Sequence, residues 1–298
     1  MKQTRACIHQ TAVTVLLLLA MPCAAGQAAA AGRVFERIVS LYPAHTENLC
    51  RLGAEGQIIG ISTSDDYPPR VLDRPRFSYR EDAEKVMAVR PDLVLVRPMI
   101  ARGYAPWVEK LQRAGITVIS MQPGTIREMF AYWQRLGELT GREEKAREMV
   151  ATFQDEVEKM RKKVATIPVA ARKKVYFEAI HRKMKTFAPE SMAIFCLQTA
   201  GGINVAPDAE PVHNSNIAAY GKERILARGN EIDLFLAQQG RMNRVTKEEI
   251  MEEPGFSAIN AVAAGRVFPV DEVLVSRPTM RLLEGIETIH SILYGTRR

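Results

Sequence analysis

The sequence predicts an α/β protein of two lobes, each a mainly parallel sheet flanked by helices, bridged by one long α-helix. Three observations carry that expectation. Short apolar runs at 38–41, 58–62, 93–96 and 117–120, then at 175–179, 234–237 and 267–270, alternate with segments of helical periodicity. Runs apolar on both faces and separated by helices belong to parallel strands covered on both sides. A single long amphipathic stripe parts the first four runs from the last three. Each half also carries the same passage, a helical segment running into Asp-Leu and an apolar strand.

Residues 1–31 stand apart from the fold. Lys2 and Arg5 precede an apolar stretch centred on Val15-Leu16-Leu17-Leu18-Leu19-Ala20, and small residues follow Pro22. A basic start, a short apolar centre and a small-residue end make a secretory signal peptide. The stretch falls short of the about 20 residues that span a bilayer. Cys23 stands where a lipid-modified cysteine would stand, but Ala20-Met21-Pro22 lacks the small residue expected just before it. The expectation is a soluble periplasmic protein without a lipid anchor. Cys7 and Cys23 leave with the signal, and Cys50 and Cys196 remain, one per half, each among apolar residues. They read as small buried hydrophobes without a disulfide.

The N-terminal lobe is expected over 34–141. At its helix-to-strand junctions a glycine closes the helix, as in Ala114-Gly115-Ile116-Thr117, and supplies the left-handed position just past the end. The connecting helix is expected over 142–168. Ala146, Met149, Val150, Phe153, Val157, Met160, Val164 and Ile167 fall three or four residues apart and make one apolar stripe. Glu143/Arg147, Asp155/Lys159 and Glu158/Lys162 lie on the charged face at the i,i+4 spacing. At 1.5 Å per residue the element is roughly 39 Å long, enough to run along a domain. The C-terminal lobe, 169–298, repeats the earlier design. Ile225-Leu226-Ala227 leads to Asp233-Leu234-Phe235 much as Val86-Met87-Ala88 leads to Asp92-Leu93-Val94.

Composition narrows the function. The chain has 298 residues, with 41 Lys and Arg against 34 Asp and Glu, and the excess is spread along it. No basic run is interleaved with aromatics, so nucleic acid is not a partner to expect. Gly-x-Ser-x-Gly and Gly-x-x-x-x-Gly-Lys-Ser/Thr are both absent, and no carboxylate pair stands out as acid and base. No enzyme is expected. Cys-x-x-Cys and His-Glu-x-x-His spacings are also lacking, so no resident cofactor is expected and metal ligands stay unassigned. A redox or metal-cofactor subunit is the alternative, disfavoured because two cysteines remain in the mature chain.

The ordered segments then resemble a known family. They are Arg37-Ile38-Val39-Ser40-Leu41-Tyr42-Pro43-Ala44-His45-Thr46-Glu47, Asp66-Tyr67-Pro68-Pro69, Ala200-Gly201-Gly202-Ile203-Asn204-Val205, Tyr220-Gly221-Lys222-Glu223 and the stretch from Ser276 to Gly285. Together they are similar to class III periplasmic binding proteins, which deliver iron chelates, haem and cobalamin to ABC importers. The resemblance implies a ligand cleft between the lobes, and an ABC permease with its ATPase subunits as partners of a monomeric protein. It also implies one surface glutamate per lobe meeting permease arginines, at positions Glu47 and Glu223. The solute it implies is a metal chelate such as a ferric siderophore, haem, or a corrinoid, with an oxyanion such as molybdate as the alternative.

Ligands of α/β sheets bind beyond the carboxyl ends of strands. That rule selects segments rich in cations and aromatics. The candidate ligand-binding residues are Tyr42, His45, Tyr67, Tyr79, Arg97, Met99, Tyr104, His181, Lys185, Arg241 and Arg277. Arginine suits carboxylates bidentately, aromatic and sulfur groups suit a macrocycle, and Tyr or His could ligate haem iron.

Overall fold

The computed structural model describes residues 32–213 and 215–295. The expected signal segment, with Cys7 and Cys23, lies outside them. The first sheet is parallel throughout. Strands β1 (Ile38–Ser40), β2 (Ile58–Ser62), β3 (Arg76–Phe77), β4 (Leu93–Val96) and β5 (Thr117–Ser120) run in the order β3-β2-β1-β4-β5. β1, at the centre, pairs with β2 on one side and β4 on the other. Strand order therefore reverses between β1 and β4, and their carboxyl ends open a crevice there. Helices α1 (Pro43–Arg51), α2 (Ala83–Ala88), α3 (Pro98–Gly103), α4 (Ala105–Arg113) and α5 (Ile126–Thr140) connect these strands and cover the sheet. α1 and α3 begin with proline and α4 carries Pro106 as its second residue, and the fixed φ of proline suits the first turn.

α6 (Glu143–Ala165) is the long connecting helix, 23 residues or about 35 Å. Its buried face is Ala146, Met149, Phe153, Val157 and Val164. The exposed face pairs at i,i+3 instead of the expected i,i+4: Lys145–Glu148 and Glu156–Lys159 at 2.6 Å, with Arg147 on Glu144. Both spacings place side chains on one strip of helix, and the nearer carboxylate takes the cation.

The second sheet holds β6 (Lys174–Ile180), β7 (Lys185–Phe187), β8 (Ile203–Asn204), β9 (Glu210–Pro211), β10 (Ile217–Ala219), β11 (Leu234–Gln239) and β12 (Val267–Asp271). Its order is β12-β11-β6-β7-β10-β9, with β8 beside β6. The β12, β11, β6 and β8 pairings are parallel, but β6-β7, β7-β10 and β10-β9 are antiparallel. This sheet is mixed where the sequence suggested a mainly parallel one. The strands β7, β9 and β10 are two or three residues long, and β7 and β9 carry Lys, Thr, Glu and Pro, so none shows an apolar run of strand length. Helices α7 (Met192–Thr199), α8 (Lys222–Ala227), α9 (Lys247–Glu252), α10 (Asn260–Ala263), α11 (Glu272–Val275) and α12 (Leu282–Tyr294) complete this lobe. The glycines expected to end helices do so: Gly115 and Gly265 have φ of 80° and 65°, open to glycine at little strain.

The lobes are not beads on a string. One apolar cluster runs from Phe35 and Leu49 through Trp133 and Phe153 to Phe177, Leu197 and Ile289. Phe153 of α6 touches Trp133 of α5 at 5.6 Å between ring centroids and Phe195 of α7 at 6.3 Å. Cys50 and Cys196 are buried free thiols in this cluster, and burial pushes Cys50 up to about 12.

Candidate functional site

A cavity of about 460 Å³ lies between the two sheets' carboxyl edges. Every strand of the first sheet delivers residues to it: Tyr42 past β1, Ser62 and Ser64 at β2, Tyr79 and Arg80 past β3, Arg97 past β4 and Gln122 past β5. From the second lobe come Asn216, Gln238, Arg241, Met242, Glu272, Ser276 and Arg277. The crevice predicted by strand order is thus the place where the two lobes face one another.

The electrostatics are unbalanced. Arg80, Arg97, Arg241 and Arg277 meet Glu272 as the sole lining carboxylate. The Arg97 guanidinium lies over the Tyr42 ring at 4.9 Å, and its buried Nε has no hydrogen-bond partner among the described residues. Burial raises the Tyr42 phenol, although Arg97 and Arg277 pull it down. Arg80 sits over Tyr79 at 5.7 Å, which in turn meets Tyr104 edge-on at 4.7 Å. Among the described residues no carboxylate pairs with Arg80, Arg97 or Arg241. Arg277 differs: its two Nη groups donate to Asp66 at 2.8 and 3.1 Å, and Nη1 lies 3.6 Å from Glu47.

Of the sequence candidates, Tyr42, Tyr79, Arg97, Arg241 and Arg277 line this cavity. The others do not. His45 is fully buried one helical turn past Tyr42, with Nδ1 2.7 Å from the Tyr132 hydroxyl and Nε2 3.2 Å from the Val96 carbonyl. Burial lowers it to about 4, which favours the neutral ring, and it does not line the cavity. His181 is also withdrawn. Its Nδ1 is 3.0 Å from both oxygens of Glu178, which is buried, and Nε2 is 3.6 Å from Glu253. Tyr104 stands behind Tyr79, Lys185 lies in the β7 ladder, Met99 is exposed on α3, and Tyr67 packs beneath Arg281 at 5.0 Å. Gln122, Asn216 and Glu272 escaped the sequence reading. Gln122 and Glu272 follow strands, so the same rule would have found them, but cations and aromatics drew the selection. Among the described residues no cluster of His, Cys, Asp or Glu could hold a metal ion.

A model of periplasmic binding proteins matches residues 38–274, which spans both sheets and the connecting helix. The chain belongs to the periplasmic binding protein family. Members of that family bind solutes, and the relatives fit the geometry. An uncharacterised ABC transporter substrate-binding lipoprotein of Bacillus subtilis is 28% identical over 272 residues, 87% of this chain and 80% of the relative. A vitamin B12-binding protein of Vibrio cholerae is 24% identical over 267 residues, 87% and 89% of the two chains. The crystal structure of a possible iron-binding periplasmic solute-binding protein from Staphylococcus epidermidis superposes with a TM-score of 0.75 at 27% identity, covering 88% of this chain and 100% of that one.

Glu47 and Glu223, the two glutamates expected from the sequence to be surface docking residues, differ in setting. Glu223 is exposed in the first turn of α8, where the helix dipole favours a carboxylate. Glu47 was expected on the surface at a helix start. Instead α1 begins at Pro43, which places Glu47 in the second turn, 6% exposed beneath Arg277. Burial raises its carboxyl, against the pull of Thr279 and Arg277.

Proposed function

We propose that this protein captures an anionic metal chelate, bearing carboxylate or similar acidic groups, and delivers it to an ABC permease. The observation that carries the reading is the set of three arginines without carboxylate partners among the described residues, Arg80, Arg97 and Arg241, around one interlobe cavity. Arg97 is half-buried and Arg80 and Arg241 are exposed at the rim, and guanidinium groups favour acidic ligands and bind them bidentately. The cavity volume falls in the range of small-molecule sites. Tyr42 and Tyr79 supply aromatic faces beside the cations, as a chelate with both apolar and acidic parts requires. The relatives named for iron and for vitamin B12 support a metal-bearing cargo carried to an importer. The metal arrives inside the ligand, consistent with cavity walls that offer cations and hydroxyls. Export to the periplasm through residues 1–31, with Glu223 as a docking contact, completes the proposal.

Calorimetric titration with ferric citrate, a carboxylate siderophore in its ferric form, haem, cyanocobalamin and molybdate tests it. The expected result is binding of an acidic iron chelate, weakened at least about tenfold by Arg97→Ala together with Arg241→Ala. Tight cyanocobalamin binding, unaffected by those substitutions and unaccompanied by binding of any anion, would refute the anionic assignment.

A further inference from the structure

Arg277 belongs to the second lobe, yet its guanidinium is bonded to a carboxylate of the first. Asp66 takes its two Nη groups in an end-on, bidentate pair, an edge of the guanidinium that a ligand carboxylate could also use. The side chain of Arg277 is 11% exposed and lines the cavity, whereas that of Asp66 is 53% exposed and reaches water. Beneath them Glu47, at 7%, stays close to Nη1. The following residues hold the segment in place. The Pro278 carbonyl accepts from Asn48 Nδ2 at 2.9 Å and from Trp133 Nε1 at 3.2 Å. Arg277 is therefore fixed in position, with one buried counterion and one exposed, exchangeable one.

We infer that Asp66 is a built-in competitor of the solute: it pairs with Arg277 until an acidic group of the ligand takes that guanidinium. This rests on the anionic reading of the cleft. Glu47 stays buried beside Arg277, so Asp66 is the partner released at small desolvation cost, since its carboxylate is half in water. Capture then exchanges an interlobe ion pair for a ligand contact. Affinity is set below what the bare arginines would give, and weakly acidic solutes that cannot displace Asp66 are turned away.

Titration of wild type, Asp66→Asn, Arg277→Gln and the double variant with ferric citrate and with a ferric carboxylate siderophore decides the matter. Asp73→Asn, an exposed position, serves as a control of equal charge change. Competition predicts about fivefold tighter binding for Asp66→Asn, weaker binding for Arg277→Gln, and no gain from Asp66→Asn once Arg277 is absent. Asp73→Asn is expected to change little. An unchanged or reduced affinity in Asp66→Asn, with wild type binding the probe, would overturn the competition alone. So would an equal gain in Asp73→Asn, which would show a general charge effect. Failure of wild type to bind either probe would remove the anionic reading and the competition together.

Discussion

Asp92 and Asp233 hold the same post in the two halves of the molecule. Each stands one residue ahead of its own strand, β4 or β11, and fastens the entrance of the neighbouring strand, β1 or β6. The Asp92 carboxylate accepts the backbone N–H groups of Glu36 at 2.9 Å and Arg37 at 3.0 Å, and Asp233 accepts that of Lys174 at 2.8 Å. Their own N–H groups return the bond, Asp92 to the Arg37 carbonyl and Asp233 to the Lys174 carbonyl.

The number of backbone groups served separates the two positions. At about 1 kcal/mol for each partly exposed N–H bond, Asp92→Ala is expected to lower stability by about 2 kcal/mol and Asp233→Ala by about 1 kcal/mol. Urea denaturation with unchanged slope measures both. Equal losses would show that the second N–H of the first lobe adds nothing.

That pairing explains how far the sequence could be read. Asp-Leu after a helical pattern was visible in both halves because it is local, and the runs around Leu93 and Leu234 are apolar on both faces because helices cover them. Lys185–Phe187 and Ile217–Ala219 were hidden, since their pairing is fixed by distant partners in an antiparallel ladder and not by their own periodicity. In the site, Tyr42, Arg97 and Arg277 were legible as residues beyond strand ends. His45 misled because its role depends on helical phase: three residues past Tyr42, α1 has turned its ring from the cleft to Tyr132. Glu47 misled for the same reason, and only the fold brings Arg277, from the far end of the chain, over it.

His45 sets an acid limb to stability. It faces Tyr42, Tyr132 and the Val96 carbonyl, with Asn48 donating to the same Tyr132 hydroxyl and Arg97 the charge that opposes its protonation. Its ordinary value of 6.5 falls to about 4 in the folded state, mainly through burial. The unfolded chain therefore binds the extra proton first as pH falls, and stability drops between 6.5 and 4. The full effect is about 3 kcal/mol. Asp65, raised from 3.8 to about 6 by burial, acts in the opposite direction over nearly the same window, so only the difference between wild type and His45→Gln isolates the histidine. His45→Gln is expected to lose the added slope between pH 6.5 and 4 in denaturation curves; parallel curves would mean that His45 is protonated within the fold.

Glu223 and Glu47 are expected to respond differently to alanine. Glu223 is exposed at the start of α8, away from the cleft lining, so Glu223→Ala is expected to reduce uptake in cells carrying the importer and to leave solute affinity unchanged. Glu47→Ala is expected to alter affinity as well, because it removes the buried counterion of Arg277. Parallel calorimetry and uptake assays distinguish the two. Unchanged affinity in both variants would mean that Arg277 needs no anchor beneath it.

The shared core bears on how the lobes move. Phe153 of α6 is wedged between Trp133 and Phe195, and Trp133 is bonded to Pro278 of the other lobe, so a wide hinge rotation would have to open a fully buried apolar seam. Exposing that surface would forfeit roughly 2 kcal/mol for each large side chain, a barrier that a flexible linker would not present. Nitroxide labels at Lys85→Cys and Glu248→Cys, both on exposed helical positions of opposite lobes, report the separation, and Cys50 and Cys196 are too buried to take label. Pulsed distance measurements with and without ferric citrate are expected to differ by no more than about 2 Å. A larger displacement would show that α6 bends or that the aromatic seam parts, and that the core joining the lobes is weaker than its packing implies.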